Sequence, residues 1–443
     1  MNHLPLTLRQ PDQVLAYCNG QAVTVGQFLG EVQALAEDLP AARYVINLCE
    51  DRYRFARAFA GAIVAGKTNL LPPNRLDTTI AQLHDHFPGA RVISDDEADA
   101  ANGKEPETSK SNREAMATPT TPEIPAEHLA AIVFTSGSSG QATAVEKPWR
   151  TLYESTLINA NQMALADGPT TQVVASVPPQ HMYGLETSVL IPLLGNAASS
   201  NAQPFLPADI AEALSGVPKP RVLVSTPPHL RTLADPAIQL PSVDRIWSAT
   251  APLDPKLAAN LENQHGTQVS EIYGCSEVGC MAWRAPAQEE TWTLFPGFEL
   301  APDGEQTVAS APHLPGSYQL QDHLEHVGPS RFRITGRSED LVNIAGKRTS
   351  LAHLNQTLLR IPGVEDGVIF PPPAPDTGDE QRLAALVVAP NLTAEALRRA
   401  LRDQVDEVFL PRPIRLVKRL PRTETGKLPR KAILDLYQKT ENG

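Results

Sequence analysis

The alternation of short β-rich runs with helical stretches is the feature that most narrows what this chain can fold into. Arg91-Val-Ile-Ser94, Val173-Val-Ala-Ser-Val177 and Arg221-Val-Leu-Val-Ser225 are apolar runs of strand length with helix-forming sequence between them. This rhythm predicts stacked, mostly parallel sheets with helices on their faces, because a parallel connection needs a crossover long enough to hold a helix. From Arg54 to Ala65, Phe55, Phe59 and Ile63 recur at helical spacing, which predicts an amphipathic helix with a core-facing stripe. Leu70-Leu-Pro-Pro-Asn74 then ends that unit in extended backbone, since proline neither continues a helix nor donates to a ladder. At 443 residues the chain exceeds one ordinary core, so two domains are expected.

A fourth run, Ala131-Ala-Ile-Val-Phe134, feeds straight into Thr135-Ser136-Gly137-Ser138-Ser139-Gly140. Glycines free the backbone N–H groups to point at an anion and the hydroxyls add donors, so the loop suits phosphate; alone, a Ser/Gly-rich turn is more often a plain loop. Three distant segments add to it. Tyr273-Gly274-Cys275-Ser276-Glu277 follows an apolar run, so Tyr273 and Glu277 are expected just past a strand end, offering a purine-stacking ring and a carboxylate for Mg²⁺. Asp322, followed by Phe332-Arg-Ile-Thr-Gly336-Arg337, supplies a carboxylate for ribose hydroxyls and a guanidinium for ribose or phosphate oxygens. Pro421-Arg-Thr-Glu-Thr-Gly-Lys427 stands in a basic tail that also carries Arg430 and Lys431.

In this order the segments resemble those of the adenylate-forming superfamily of acyl-CoA synthetases, aryl-acid ligases and adenylation domains. Pro178-Pro-Gln-His181-Met-Tyr-Gly184 is similar to the family's Pro-x-x-His-x-x-Gly gate, and Ser248-Ala-Thr-Ala-Pro-Leu253 to its Gly-Gly-Ala-Pro-Leu turn. More narrowly, Lys147-Pro-Trp149 resembles short ligases of aryl polyene and xanthomonadin-type pigment pathways. The resemblance implies an α/β fold: a large N-terminal lobe, residues 1–336, and a small mobile α+β lobe, residues 337–443, turning about a hinge at Glu339. It implies that Thr135 to Gly140 hold the β- and γ-phosphates, Tyr273 with Gly274 and Ser276 the adenine side, and Asp322 with Arg337 the ribose. Lys427, Glu277 and His181 become the catalytic candidates, Glu277 the Mg²⁺ ligand, and Gly346 the residue beside a pantetheine passage.

One departure is chemical. The family's Pro-Lys-Gly after the phosphate loop reads Ala142-Thr143-Ala144 here, so Lys147 is expected to replace the missing loop lysine. Glu271 stands where the family commonly has Asn. The implied activity is ATP-dependent ligation of a carboxylic acid to a thiol, on CoA or on a phosphopantetheine carrier protein, with Mg·ATP as cosubstrate. A hydroxybenzoate-like aromatic acid is the expected substrate and a medium-chain fatty acid the second choice. Rivals are a non-catalytic homologue that binds an adenylate or carrier protein, and a luciferase-like oxidative enzyme.

A formal charge of -12 argues against general nucleic-acid binding. No apolar stretch approaches the ~18 residues of a membrane span and no signal-peptide core opens the chain, so a cytoplasmic enzyme is expected. Four irregularly spaced cysteines suggest free thiols. Residues 95–127, rich in Asp, Glu, Lys, Thr, Pro and Ser, are expected to form a flexible surface insertion.

Overall fold

The computed structural model describes residues 2–100, 120–136, 142–304, 306–337, 341–344, 347–373, 382–402, 404–423 and 426–440. The chain divides into two compact units: Met1–Glu299 with Ser310–Tyr318, and Leu300–Ala309 with Gln319–Gly443. The expected division at 336 falls inside the second unit, at the end of the strand Arg331–Arg337.

The first unit holds a five-stranded sheet in the order Arg91–Ile93, Tyr44–Asn47, Thr68–Leu71, Leu129–Ser136, Ala142–Pro148. Its first four strands are parallel and the last returns antiparallel. Both faces are apolar, as a parallel sheet covered on two sides requires. Val45, Leu71 and Val133 pack with the helices Val25–Asp38, Arg52–Val64 and Trp149–Gln162. Their neighbours Ile46, Leu70, Ile132 and Phe134 face Leu83 of the helix Asp77–His86. Phe55, Phe59 and Ile63 are all fully or almost fully buried, as their spacing predicts.

In the second sheet of this unit, neighbouring strands run Gly279–Arg284, Gln268–Cys275, Arg245–Ser248, Arg221–Ser225, Thr171–Ala175, Ala197–Ser200. All are parallel except Gly279–Arg284, which turns back along its neighbour. Val174, Leu223, Ile246 and Val269 bury one face against the helices Pro207–Ser215, Pro227–Leu233 and Pro255–His265. The last of these starts on Asp254, whose carboxylate accepts from the N–H groups of Lys256 and Leu257, and ends on Gly266 in the left-handed region.

The expectation for residues 95–127 is corrected at both ends. Asp95 begins the short helix Asp95–Ala100, and its carboxylate accepts from the N–H groups of Glu50 (3.0 Å) and Asp51 (3.3 Å). Glu123–Pro125 pairs with His3–Pro5, burying Ile124. One capping carboxylate and one apolar anchor are enough to order backbone that composition alone marks as solvated. Residues 101–119 lie outside the described residues.

In the second unit, Asp366–Phe370, Ala384–Val388 and Ile414–Leu416 form a three-stranded sheet. Ile369, Ala385 and Val387 face the helices Leu351–Leu359 and Ala394–Arg402, and Val368, Phe370, Leu386 and Val388 face the helix Arg430–Lys439. This is the expected α+β arrangement. No helix among the described residues is long and apolar enough to cross a membrane.

Candidate functional site

Open parallel sheets present ligands at the carboxyl ends of their strands, where backbone and side chains from several strands converge. Here those ends carry a polar row. Ser225, Ser248 and Glu271 are register partners across three adjacent strands. Ser176, just past Thr171–Ala175, donates its N–H to Val224 O (2.9 Å) and its hydroxyl lies 2.8 Å from that of Ser225. His229 Nδ1 lies 2.8 Å from Ser176 Oγ, and burial lowers the pKa of this imidazole. Ser248 Oγ and Thr226 Oγ1 are fully buried with no hydrogen-bond partner among the described residues.

The segment bearing His181 is held from beneath. Arg52, fully buried, donates to the carbonyls of Ala175 (2.8 Å) and Val177 (2.9 Å) and to Ser188 Oγ (2.5 Å). His181 caps the short helix Met182–Leu185, and the chain turns so tightly that a Cβ on Gly184 would overlap the Pro178 carbonyl. A π turn, Glu186–Leu190, follows. Pro192 has no N–H to give the Ser188 carbonyl, and the Ser199 hydroxyl donates to it instead (2.9 Å). Glu186 at the head of this turn is fully buried, accepting from Ser155 Oγ (2.7 Å), Asn159 Nδ2 (3.2 Å) and Cys280 N (2.9 Å). Nearby in sequence, the Gln180 amide and the Tyr183 hydroxyl are buried without partners among the described residues.

Tyr273, Gly274 and Cys275 lie within the strand Gln268–Cys275, one step earlier than the expected place past its end; Ser276 and Glu277 form the turn into Gly279–Arg284. A register shift falls between Tyr273 and Gly274, and a Cβ on Gly274 would overlap the Gly279 carbonyl. The Tyr273 ring lies 5.5 Å from that of Trp292, which in turn sits 4.7 Å from the Arg284 guanidinium. Arg284 pairs with the register partner opposite it, Glu271, at 2.6 Å, and the other oxygen of Glu271 accepts from Leu253 N (2.8 Å).

Lys147, expected to stand in for the loop lysine, is 1% exposed, and its ammonium donates to the Glu277 carbonyl at 2.7 Å. Burial lowers the pKa of this ammonium, opposed by Glu186, Cys275 and Glu277. The same environment drives the His313 imidazole down to about 4, through burial and then Lys147 and Arg150. Burial, with Glu277 second, pushes the Cys275 thiol up to about 12, which removes it as a nucleophile at neutral pH. All four cysteines are free thiols.

Glu277 was expected to hold Mg²⁺. Among the described residues no group of three His, Cys, Asp or Glu side chains is arranged to hold a metal ion. A lone carboxylate fits a magnesium ion that arrives on nucleotide phosphates, since Mg²⁺ takes one or two protein carboxylates and completes its shell with phosphate and water.

Thr135 and Ser136 end the strand Leu129–Ser136, paired with Thr143 and Ala142, so the Ser/Gly loop joins two antiparallel strands. Gly137, Ser138, Ser139 and Gly140 lie outside the described residues, as do Glu339 and Gly346. In the second unit Asp322 is buried and stands directly opposite Arg337 in the hairpin Asp322–Gly328 with Arg331–Arg337. Lys427 is exposed, at the end of a tight turn. Sequence reasoning missed Arg52, Glu186, Arg284 and Trp292. For Glu186 and Arg284 the signal was a charge beside apolar sequence, which needs a partner once buried; Arg52, set among Glu50, Asp51 and Arg54, and Trp292 carried none.

The description "AMP-binding enzyme" matches residues 9–302, and "AMP-binding enzyme C-terminal domain" matches residues 353–427. A 4-coumarate–CoA ligase of Rhodobacter capsulatus is 30% identical over 304 residues, 68% of this chain and 75% of that protein. The fatty acid–[acyl-carrier-protein] ligase MmaC of Mycobacterium marinum is 24% identical over 400 residues, 73% of this chain and 71% of that one. Among solved structures, the o-succinylbenzoate coenzyme A synthetase of Bacillus subtilis in complex with ATP and magnesium superposes with a TM-score of 0.79 at 16% identity, covering 97% of this chain and 99% of that one.

Proposed function

The chain belongs to the AMP-binding enzyme family and is an AMP-forming acid ligase; on that premise we propose that its acid is an aromatic, hydroxybenzoate-like carboxylate. A carboxylate oxygen attacks the α-phosphorus of ATP, the bond to the β-phosphate bridge breaks, and pyrophosphate leaves. A pantetheine sulfur then attacks the acyl carbon, the thiol gives up its proton, and AMP departs. In the first step two anions meet, so preorganised positive charge governs the rate. Lys427 supplies it to the carboxylate and the α-phosphate. Tyr273 stacks on the adenine, Asp322 and Arg337 hold the ribose, and His181 borders the acid. Mg²⁺ neutralises phosphate charge when bound, and Glu277 is the residue that would hold it.

One observation carries the choice of acid. By resemblance to the family, the acid pocket draws on His181 to Gly184, Ser225 to Pro228, Ser248 to Ala251 and Gly274 to Met281, and within these segments Tyr183, Thr226 and Ser248 carry buried polar atoms with no hydrogen-bond partner among the described residues. Each such atom costs roughly 1–3 kcal/mol unless a ligand satisfies it, which an alkyl chain cannot do and a hydroxylated ring can. The relative named for 4-coumarate supports the same choice, and the one named for a fatty acid keeps medium-chain acids as the second reading. Pyrophosphate exchange into ATP, run with 4-hydroxybenzoate, benzoate and octanoate, tests it. Exchange is expected to be highest with 4-hydroxybenzoate, with loss of the hydroxyl costing about tenfold or more. An octanoate maximum would install the fatty-acid reading, and silence with every acid would favour a non-catalytic homologue.

For the acceptor, a carrier protein is favoured by the basic strip from Arg412 to Arg422, in an otherwise acidic chain. The strip is smaller than its sequence suggests. Arg415 lies 3.9 Å from the Tyr437 ring and donates to Tyr437 O, and Arg422 is forked onto Asp366, whereas Lys418 and Arg419 are exposed. Charge reversal at Lys418 and Arg419 therefore tests docking without disturbing the fold.

Lys147 enters through the Glu277 backbone. Replacing Lys147 by Met is expected to raise the Mg²⁺ concentration needed for half-maximal exchange by about tenfold, the usual cost of removing a group that orients a metal-binding residue. An unchanged Mg²⁺ requirement with weakened ATP affinity would return Lys147 to the phosphates.

A further inference from the structure

We infer that Asp366, on a strand remote in sequence from the Pro421 to Lys427 segment, is a positioning residue for Lys427; this rests on the reading of Lys427 as the adenylation lysine. Arg422 uses all three guanidinium nitrogens. Nε and Nη2 fork onto the two Asp366 oxygens at 2.7 and 2.6 Å, and Nη1 donates to the Gly426 carbonyl at 2.6 Å. That carbonyl belongs to the peptide leading into Lys427, so the fork fixes the plane from which the lysine departs. The turn closes on itself as well. Thr423 N donates to Lys427 O (2.8 Å), Gly426 N to Thr423 O (2.8 Å), and Lys427 N to Thr423 Oγ1 (3.1 Å). Gly426 has φ +77°, a conformation that L side chains rarely adopt.

Asp366 gives this turn its fixed point. It begins the strand Asp366–Phe370, is the register partner of Val388, and accepts from Gly367 N at 2.8 Å. A bidentate, charge-assisted fork carries geometry as well as attraction, and a lysine on a flexible four-carbon stem needs its Cα held if its ammonium is to be preorganised. Without the carboxylate, Arg422 retains one backbone acceptor and no orientation.

Two half-reactions separate this role from a merely structural one. Asp366→Ala is expected to lower kcat of pyrophosphate exchange roughly 10- to 100-fold, the scale set by a misplacement of about 1 Å, with little change in KM for ATP or acid. Thioester formation from a supplied acyl adenylate is expected to be unchanged, and Asp366→Asn, which keeps shape and loses charge, to fall between wild type and Asp366→Ala. Should Asp366→Ala not fold, Asp366→Asn carries the same comparison. Equal loss in both half-reactions, or no loss of exchange, overturns the inference. Lys427→Ala run alongside tells the two failures apart: if it lowers exchange selectively and the Asp366 variants do not, positioning alone is wrong, and if it leaves exchange intact, the reading of Lys427 is wrong and this inference falls with it.

Discussion

Replacing Lys427 by alanine is expected to lower carboxylate-dependent pyrophosphate exchange by about 10²- to 10³-fold, the typical cost of removing one preorganised charge from a transition state. Thioester formation from a supplied acyl adenylate should largely survive, because in that step no anion has to approach phosphorus. Lys427 is exposed, so its removal is expected to leave folding intact, and an unchanged urea midpoint in the variant checks this. Parallel loss of both half-reactions in a folded protein would rule out confinement of Lys427 to the first step.

The second large effect concerns stability. Arg284→Ala removes the guanidinium that lies 2.6 Å from Glu271, a carboxylate 3% exposed, and should destabilise the first unit by about 3–5 kcal/mol, as breaking a buried pair from one side does. The deficit carries a pH signature. Burial already raises the Glu271 pKa, with Arg284 and the Leu253 N–H opposing it, and loss of Arg284 raises it further. Between the unfolded pKa, about 4.3, and the raised folded value, the native state binds a proton that the unfolded state has released. Native stability therefore falls as pH rises through this window, so the Arg284→Ala deficit should be smallest near the acid end and reach its full size above the folded pKa. Urea midpoints of both proteins across that range measure it. A double variant, Glu271→Leu with Arg284→Leu, should recover most of the loss; a deficit independent of pH and unrelieved in the double variant would mean that Arg284 acts through its packing on Trp292.

The fold was legible because its signals are local. Strand-length apolar runs such as Arg221–Ser225 coincide with strands, and the Phe55, Phe59, Ile63 stripe lies in the core. Motif residues were legible for the same reason, each segment carrying its own glycines and carboxylates. What the sequence hid depends on pairing across distance. Glu271 and Arg284 are 13 residues apart and meet only because the chain reverses at Ser276–Glu277. Asp366 and Arg422 are separated by 56 residues and meet through sheet geometry. Lys147 was read as the replacement for the missing loop lysine, and nothing nearby in sequence announces that Glu277, 130 residues on, offers it a carbonyl. Composition misled at residues 95–100 and 123–125, where a capping carboxylate and a single isoleucine outweigh polar surroundings.

The contact between Lys147 and the Glu277 carbonyl has a consequence for exchanging parts among related ligases. The Ser/Gly loop runs directly into the strand Ala142–Pro148, and that strand ends by gripping the turn of Gln268–Cys275 and Gly279–Arg284. The three segments thus form one transplantable unit. A chimera that imports the loop and its return strand without the donor's turn sets a buried ammonium against a carbonyl whose position another sequence fixes, and one that imports the turn alone loses its anchor. Crossover points placed after Arg284, or before Leu129, keep the unit whole.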